Sequence, residues 1–305
     1  MKRTLTLCMT GGLLAVSATP AFAWDEFGHV VVAAVAWDGM TPQARARAIQ
    51  LLQSAPPGSG LGRGFSSGSL SPAEQLRLFG SASHWPDDIR SPRHPGHGLH
   101  RGNRHFVNLF WEQRFDFGPV RTATRPPFGD LLNDMPALRR DLTGSSRGDA
   151  AIALAWIIHL VGDIHQPLHS SSRITPLDPN GDRGGNDFGL RGSPDNLHSF
   201  WDGLITRNHR QRSGESAQAY LQRVAGGISS RNPRSRFTAE LAATNPDDWA
   251  RESLVLAQRS VYRNPLRRER LPSRAYELRA LAAAEPRIAL AGYRLADLLN
   301  QAIGR

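Results

Sequence analysis

The chain has 305 residues, 40% hydrophobic and 8% aromatic, which supplies a sizeable core and excludes a disordered composition. Its formal charge is +10, and setting aside Lys2 and Arg3 leaves +8 with every remaining basic residue an arginine. This balance favours anionic partners, whether nucleic acid, nucleotides or a membrane surface. An arginine bias of this kind also follows from genome base composition, and there is no compact basic run, so the charge is supporting evidence only.

In chain order, MKRTLTLCMTGGLLAVSATPAFA combines a basic start, an apolar run to Val16 and the small-x-small site Ala21-Phe22-Ala23. It is too short to span a bilayer and predicts a cleavable export signal over residues 1–23, with cleavage before Trp24. Cleavage would leave 282 of the 305 residues and remove Cys8, the only cysteine, so disulfides are excluded. The expected location is periplasmic or secreted.

WDEFGH then places Gly28 and His29 ahead of an apolar helix, VVVAAVAW. Thr41 and Pro42 read as the cap and first turn of the next helix. Residues 54–70 are Gly/Ser/Pro-rich loop. Ser71-Pro72-Ala73-Glu74 is a capping box opening a helix to about Ser83, followed by HWPDDIR and a His-rich loop with His94, His97 and His100. RHFVNLFW is expected to be short and extended. A helix bent at Pro136 covers Asp130–Leu142, and Ser145 or Ser146 caps the long apolar helix that carries AAIALAWIIHLVGD. A Gly/Asp/Pro-rich connection holding DRGGND leads to NLHSFWDGLITRN, capped by Asn196. Further helices are expected over Ala217–Ile228, Trp249–Tyr262 and Pro286–Ile303, with Gly292 marking a close helix contact. About eight helices, little strand signal and no repeat predict one mostly α-helical domain over residues 24–305.

His159 and Asp163 stand at i and i+4, on one helix face. Buried, such a pair either satisfies itself or binds a metal. His198 and Asp202 repeat the spacing. With Asp87, His29, His105 and His169 the candidates are five histidines and three aspartates. Imidazole and carboxylate are what zinc takes without thiolates, and eight such groups exceed one tetrahedral site. An HExxH helix and a Gly-rich phosphate loop are both absent from the sequence.

The ordered set W…GH, WxDxxR, HFVN, HxxxDxHQPLH, GGN and NLHxxWD resembles the zinc-dependent, single-strand-specific nucleases typified by the fungal S-one and P-one nucleases (nuclease type I). It spans Trp24 to Asp202. The resemblance implies a mostly α fold of the phospholipase C/P-one nuclease type and three zinc ions. One zinc would be held by Asp87, His105, His159 and Asp163, and a second by His169, His198 and Asp202. A third would be held by His29, Asp163 and the free amine and carbonyl of Trp24. Asp87 and Arg90 are then the catalytic residues, with Arg90 on the scissile phosphate. Phe106, Asn108 and Asn186 line a nucleoside pocket. The implied activity is endonucleolytic cleavage of single-stranded DNA and RNA to 5′-phosphates, with 3′-nucleotidase action on 3′-nucleotides. The protein is expected to be a monomer without stable membrane association.

Zinc-dependent phospholipase C shares the fold, but there the second pair typically ends in Glu, whereas Asp202 stands here. A non-catalytic zinc-binding protein is the remaining alternative. Asp25 replaces a common small residue, WPD replaces WAD, and Asn108 replaces an Asp found in some members. His165 is expected to orient a ligand or to be structural, and Trp85, Trp156 and Trp201 to lie in the core.

Overall fold

The computed structural model describes residues 24–304; the predicted export signal lies outside them. The described chain is mostly helical. Helix α1 (Glu26–Gly39) is capped by Asp25, whose carboxylate accepts from Gly28 N at 2.9 Å. His29 therefore lies inside its first turn, not ahead of it. In α2 (Pro42–Gln53) and α3 (Pro72–Asp88) the expected caps form: Thr41 accepts from Ala44 N, and Ser71 and Glu74 close a capping box.

Helix α3 continues through Pro86 to Asp88, five residues beyond its expected end at Ser83. Proline removes one donor and one helical bond. Three residues before it, the Ser83 carbonyl receives His159 Nδ1 at 2.8 Å, so this irregular last turn is tied to the centre of the molecule.

The extended HFVN segment enters β1 (Phe110–Glu112), which pairs antiparallel with β2 (Arg121–Thr122). Helix α4 (Leu131–Gly144) is one element across Pro136, and Ser146 caps α5 (Arg147–His165). Strand β3 (Ser172–Ile174) runs parallel to β1 with Phe110 opposite Ser172, giving the order β2-β1-β3. These strands are too short to show a period of two clearly in the sequence.

The NLHSFWDGLITRN stretch divides at Gly203 into α6 (Leu197–Asp202) and α7 (Leu204–Asn208). Then follow α8 (Ala217–Arg231), α9 (Thr238–Ala242) and α10 (Pro246–Leu256), the last running into a π-helical turn, Ala257–Val261. Helix α11 (Arg274–Ile303) starts twelve residues before the proline expected to open it, capped by Ser273. Its alanine-rich turns and its packing against α1 sustain the helix past Pro286.

Helix α5 is the axis of the core. It is long and apolar enough to cross a membrane, yet Ala153–His165 are buried without a break. Helices α2, α3, α4, α10 and α11 surround it, which is the usual fate of a helix that is apolar on all sides. Gly292 fulfils its expected role: a Cβ there would stand 2.5 Å from Val35 Cγ1, so α11 and α1 meet through the missing side chain. Trp85, Trp156 and Trp201 are all buried.

Candidate metal centre

Six helices and turns deliver eight of the nine expected metal-binding residues to one region, and Trp24 stands just ahead of the first. His29 comes from the start of α1, Asp87 from the end of α3 and His105 from a 3-10 turn, Gly102–His105. His159 and Asp163 lie one turn apart on α5, His169 sits in the 3-10 turn Pro167–Ser170, and His198 and Asp202 share α6. Trp24 is fully buried, its Nε1 donating to Gly162 O at 3.1 Å, and Asp25 N donates to Asp202 O.

Asp163 is the hub. Its Oδ2 faces His159 Nε2 at 3.1 Å and His105 Nδ1 at 3.3 Å, while its Oδ1 faces His29 Nε2 at 3.3 Å. Asp87 Oδ1 lies 3.7 Å from His105 Nδ1 and 3.8 Å from His159 Nε2. In the neighbouring group His198 Nε2 is 3.0 Å from His169 Nε2 and 3.7 Å from Asp202 Oδ2. Ligand atoms around a tetrahedral ion with ~2.0–2.1 Å bonds lie ~3.3 Å apart, the spacing seen here. His29 also approaches Asp87 and His159 within 4.8 Å, its ring stacked on that of His159 at 4.1 Å. The 3.3 Å approach of His29 Nε2 to Asp163 Oδ1 favours grouping His29 with Asp163.

Several of these atoms have no hydrogen-bond partner among the described residues: both ring nitrogens of His29, both oxygens of Asp163 and Asp202 Oδ2. Buried polar atoms are normally satisfied, and a cation would satisfy these together. The outer ring nitrogens are anchored on carbonyls. His159 Nδ1 meets Ser83 O, His169 Nδ1 meets His105 O and His198 Nδ1 meets Gly184 O, at 2.8, 2.7 and 2.7 Å. Such outer bonds aim the inner nitrogen of a ligating histidine.

The electrostatics match a cation site. Burial pushes the His29 imidazole down to about 4, and those of His105 and His198 down to about 3, leaving neutral donors at physiological pH. Burial also pushes the Asp202 carboxyl well above the usual carboxylate range. For Asp163 burial acts in the same direction, but His159 and the other imidazoles outweigh it and hold the carboxyl well below that range.

Two contributors were missed in the sequence. Gln166 accepts from Leu168 N through Oε1 (2.6 Å) and donates to Asp202 Oδ1 through Nε2 (2.7 Å), joining the end of α5 to α6. Its place between Asp163 and His169 in DIHQPLH was the available signal. Gly162 lies against the His29 ring, where a Cβ would stand 2.8 Å from Nδ1. His165 turns away: Nδ1 meets Val161 O and Nε2 meets Arg294, which makes it a structural residue.

The group opens into a cavity of ≈ 1320 Å³ lined by Arg90, His100, His105, His169 and His198, and by all three expected nucleoside-pocket residues. Arg90 Nη2 is 2.8 Å from Asp87 Oδ1. Phe106 is half-buried, with exposed Phe128 beside it at 5.9 Å between ring centroids. Asn108 is buried, its backbone paired with that of Phe128. Asn186 lines the wall, but its amide donates to Arg183 O. The adjoining glycines have a different task. Gly184 and Gly185 have φ of +63° and +80°, and a Cβ on Gly184 would stand 2.3 Å from Leu168 O. They let the loop close on His198.

The profile of the family described as S1/P1 Nuclease matches residues 24–304. The chain is 42% identical over 64 residues to "Nuclease S1" of Aspergillus oryzae, covering 20% of each chain. It is 31% identical over 156 residues to "Endonuclease 5" of Arabidopsis thaliana, covering 49% of this chain and 50% of that one. It is 24% identical over 304 residues to "Nuclease PA3" of a Penicillium species, covering 92% of this chain and 98% of that one. The matched stretch thus spans about half the length of the Arabidopsis relative.

Proposed function

This chain belongs to the S1/P1 nuclease family, and from that premise we propose that it hydrolyses phosphodiester bonds of single-stranded DNA and RNA with three zinc ions. The observation that carries the reading is the two-sided environment of Asp163, whose oxygens face separate imidazoles beside a large cavity. Asp87, His105, His159 and Asp163 would hold one zinc. His169, His198 and Asp202 would hold the second, and His29, Asp163 and the amine and carbonyl of Trp24 the third. Zinc held by these residues would supply Lewis acidity for the phosphoryl group and for an attacking water.

The remaining work belongs to the chain. Arg90, set on Asp87, offers its guanidinium to the scissile phosphate as charge develops on it. Phe106 stacks on a base, which must be unpaired because duplex bases are already stacked. Asn108 meets the base edge. Departure of the 3′-oxygen leaves a 5′-phosphate, and the same geometry admits a 3′-nucleotide. Export and removal of residues 1–23 belong to this reading, because the Trp24 amine ligates only once it is free.

The test is to assay the mature protein on denatured DNA, RNA, a 3′-nucleotide and phosphatidylcholine, with and without chelator. Chelator-sensitive release of acid-soluble nucleotides is expected. Hydrolysis of the lipid alone would assign the phospholipase C activity instead, and no hydrolysis with zinc supplied would leave a non-catalytic metal protein.

A further inference from the structure

The cavity holds more than one nucleotide needs. Its ≈ 1320 Å³ exceeds the ~300–1,000 Å³ of typical small-molecule sites. One wall is an extended stretch running from Phe106 to β1. Alternate residues Phe106, Asn108 and Phe110 line the cavity, while Val107 and Trp111 are buried in the core. At ~3.3 Å per residue Phe110 stands ~13 Å beyond Phe106. Over the Phe110 ring, at 5.1 Å from its centroid, lies the guanidinium of Arg125. The ring itself is seated on Gly181, where a Cβ would stand 2.9 Å from Phe110 Cε1.

Arg125 differs from the other arginines of this wall. Arg90 has Asp87 at 2.8 Å and Arg183 has Asp187 at 2.7 Å. Among the described residues Arg125 has no carboxylate partner; it donates to Asn180 O at 2.6 Å and to Asn180 Oδ1 at 3.3 Å. Its side chain is exposed at the cavity and followed by Pro126 and Pro127, whose fixed φ stiffens the loop. A guanidinium held by neutral acceptors and a ring keeps its full charge and its remaining donors for an anion.

We infer that Arg125, held over Phe110 by Asn180, is an outlying phosphate subsite that takes an internucleotide phosphate of a single strand beyond the nucleotide resting on Phe106. The inference rests on the nuclease reading and gives it a substrate class: oligonucleotides are favoured over dinucleotides, whose one phosphate is the one cleaved.

The experiment compares the mature zinc-loaded protein with Arg125→Ala and Arg125→Lys, and with Arg121→Ala as an exposed control away from the cavity. Binding of a fluorescein-labelled phosphorothioate decathymidylate is followed by anisotropy across a salt series. Hydrolysis of thymidylyl-thymidine and of unmodified decathymidylate is measured alongside. Arg125→Ala is expected to weaken decamer binding roughly three- to tenfold at low salt and to reduce the salt slope by ~0.7. The Lys variant keeps the slope, Arg121→Ala changes nothing, and dinucleotide kcat/KM stays at the unsubstituted level. An unchanged slope in Arg125→Ala, or equal losses on dinucleotide and decamer, would overturn the subsite while leaving the nuclease reading intact. Failure of the unsubstituted protein to bind or cleave either oligonucleotide would overturn both.

Discussion

Replacing Gly162 by alanine tests the geometry around Asp163 without replacing a proposed ligand. The added Cβ would stand 2.8 Å from His29 Nδ1 and 3.0 Å from its Cε1, and ordinary contact begins at 3.4 Å, so the ring must give by about 0.6 Å. Metal–ligand distances tolerate about ±0.2 Å. The displacement therefore exceeds what a bound ion absorbs, and it acts on the imidazole that faces Asp163 Oδ1. Fold stability changes far less. Alanine gains up to ~1 kcal/mol in an α-helix interior, while overpacking costs ~1–3 kcal/mol. The expected result is a loss of the His29-bound zinc, from three ions to two, with metal-free stability lowered by no more than ~3 kcal/mol. Equilibrium dialysis against zinc with elemental analysis, together with denaturant unfolding of the chelated protein, separates the two quantities. A Gly162→Ala protein that holds three zincs with undiminished affinity would refute this placement of His29.

Three further outcomes follow from the site. Phe106→Ala should raise KM for single-stranded substrate, the lost stacking being worth ~1–3 kcal/mol per base; steady-state kinetics that leave KM unchanged would remove Phe106 from the base site. A preparation with residues retained ahead of Trp24 should lose the third zinc and most activity, because an amide nitrogen replaces an amine of pKa ~8; full activity with an N-terminal tag in place would contradict the Trp24 assignment. The chelated protein should lose stability in mild acid. Burial lowers the imidazoles of His29, His105, His165, His169 and His198 in the folded state. Their contribution is present above the unfolded pKa of ~6.5 and is lost as pH falls toward the folded values, at up to ~1.4 kcal/mol per pH unit for each group. The carboxyls of Asp25, Asp182 and Asp202 shift upward and oppose the trend, but they are outnumbered. Melting temperatures that rise between pH 6.5 and pH 4 would contradict this balance.

The proposed ligand set was legible because its members lie in short motifs whose spacing survives folding. His159/Asp163 and His198/Asp202 are each one helical turn apart, so a helix alone places both partners together. That His159 and Asp163 meet Asp87, His29 and His105 could be reached only through family resemblance, since no local rule brings α1, α3 and α5 to one point. The helix boundaries failed at prolines. Pro86 and Pro286 read as breaks, yet in α3 and α11 packing carries the helix through them. Gln166 and Gly162 stood inside the recognised motif but act through contacts with Asp202 and His29, residues distant in the chain. Arg125 lay in a stretch without period, and its setting on Phe110 and Asn180 depends on long-range packing.

The proposed function requires Asp163 to join two metal ions. Anomalous diffraction at the zinc edge from crystals of the mature protein measures this directly. Three peaks per chain are expected, two of them on opposite oxygens of Asp163 and the third between His169, His198 and Asp202. A single peak, or peaks that leave Asp163 Oδ1 and His29 without metal in a fully active preparation, would contradict it.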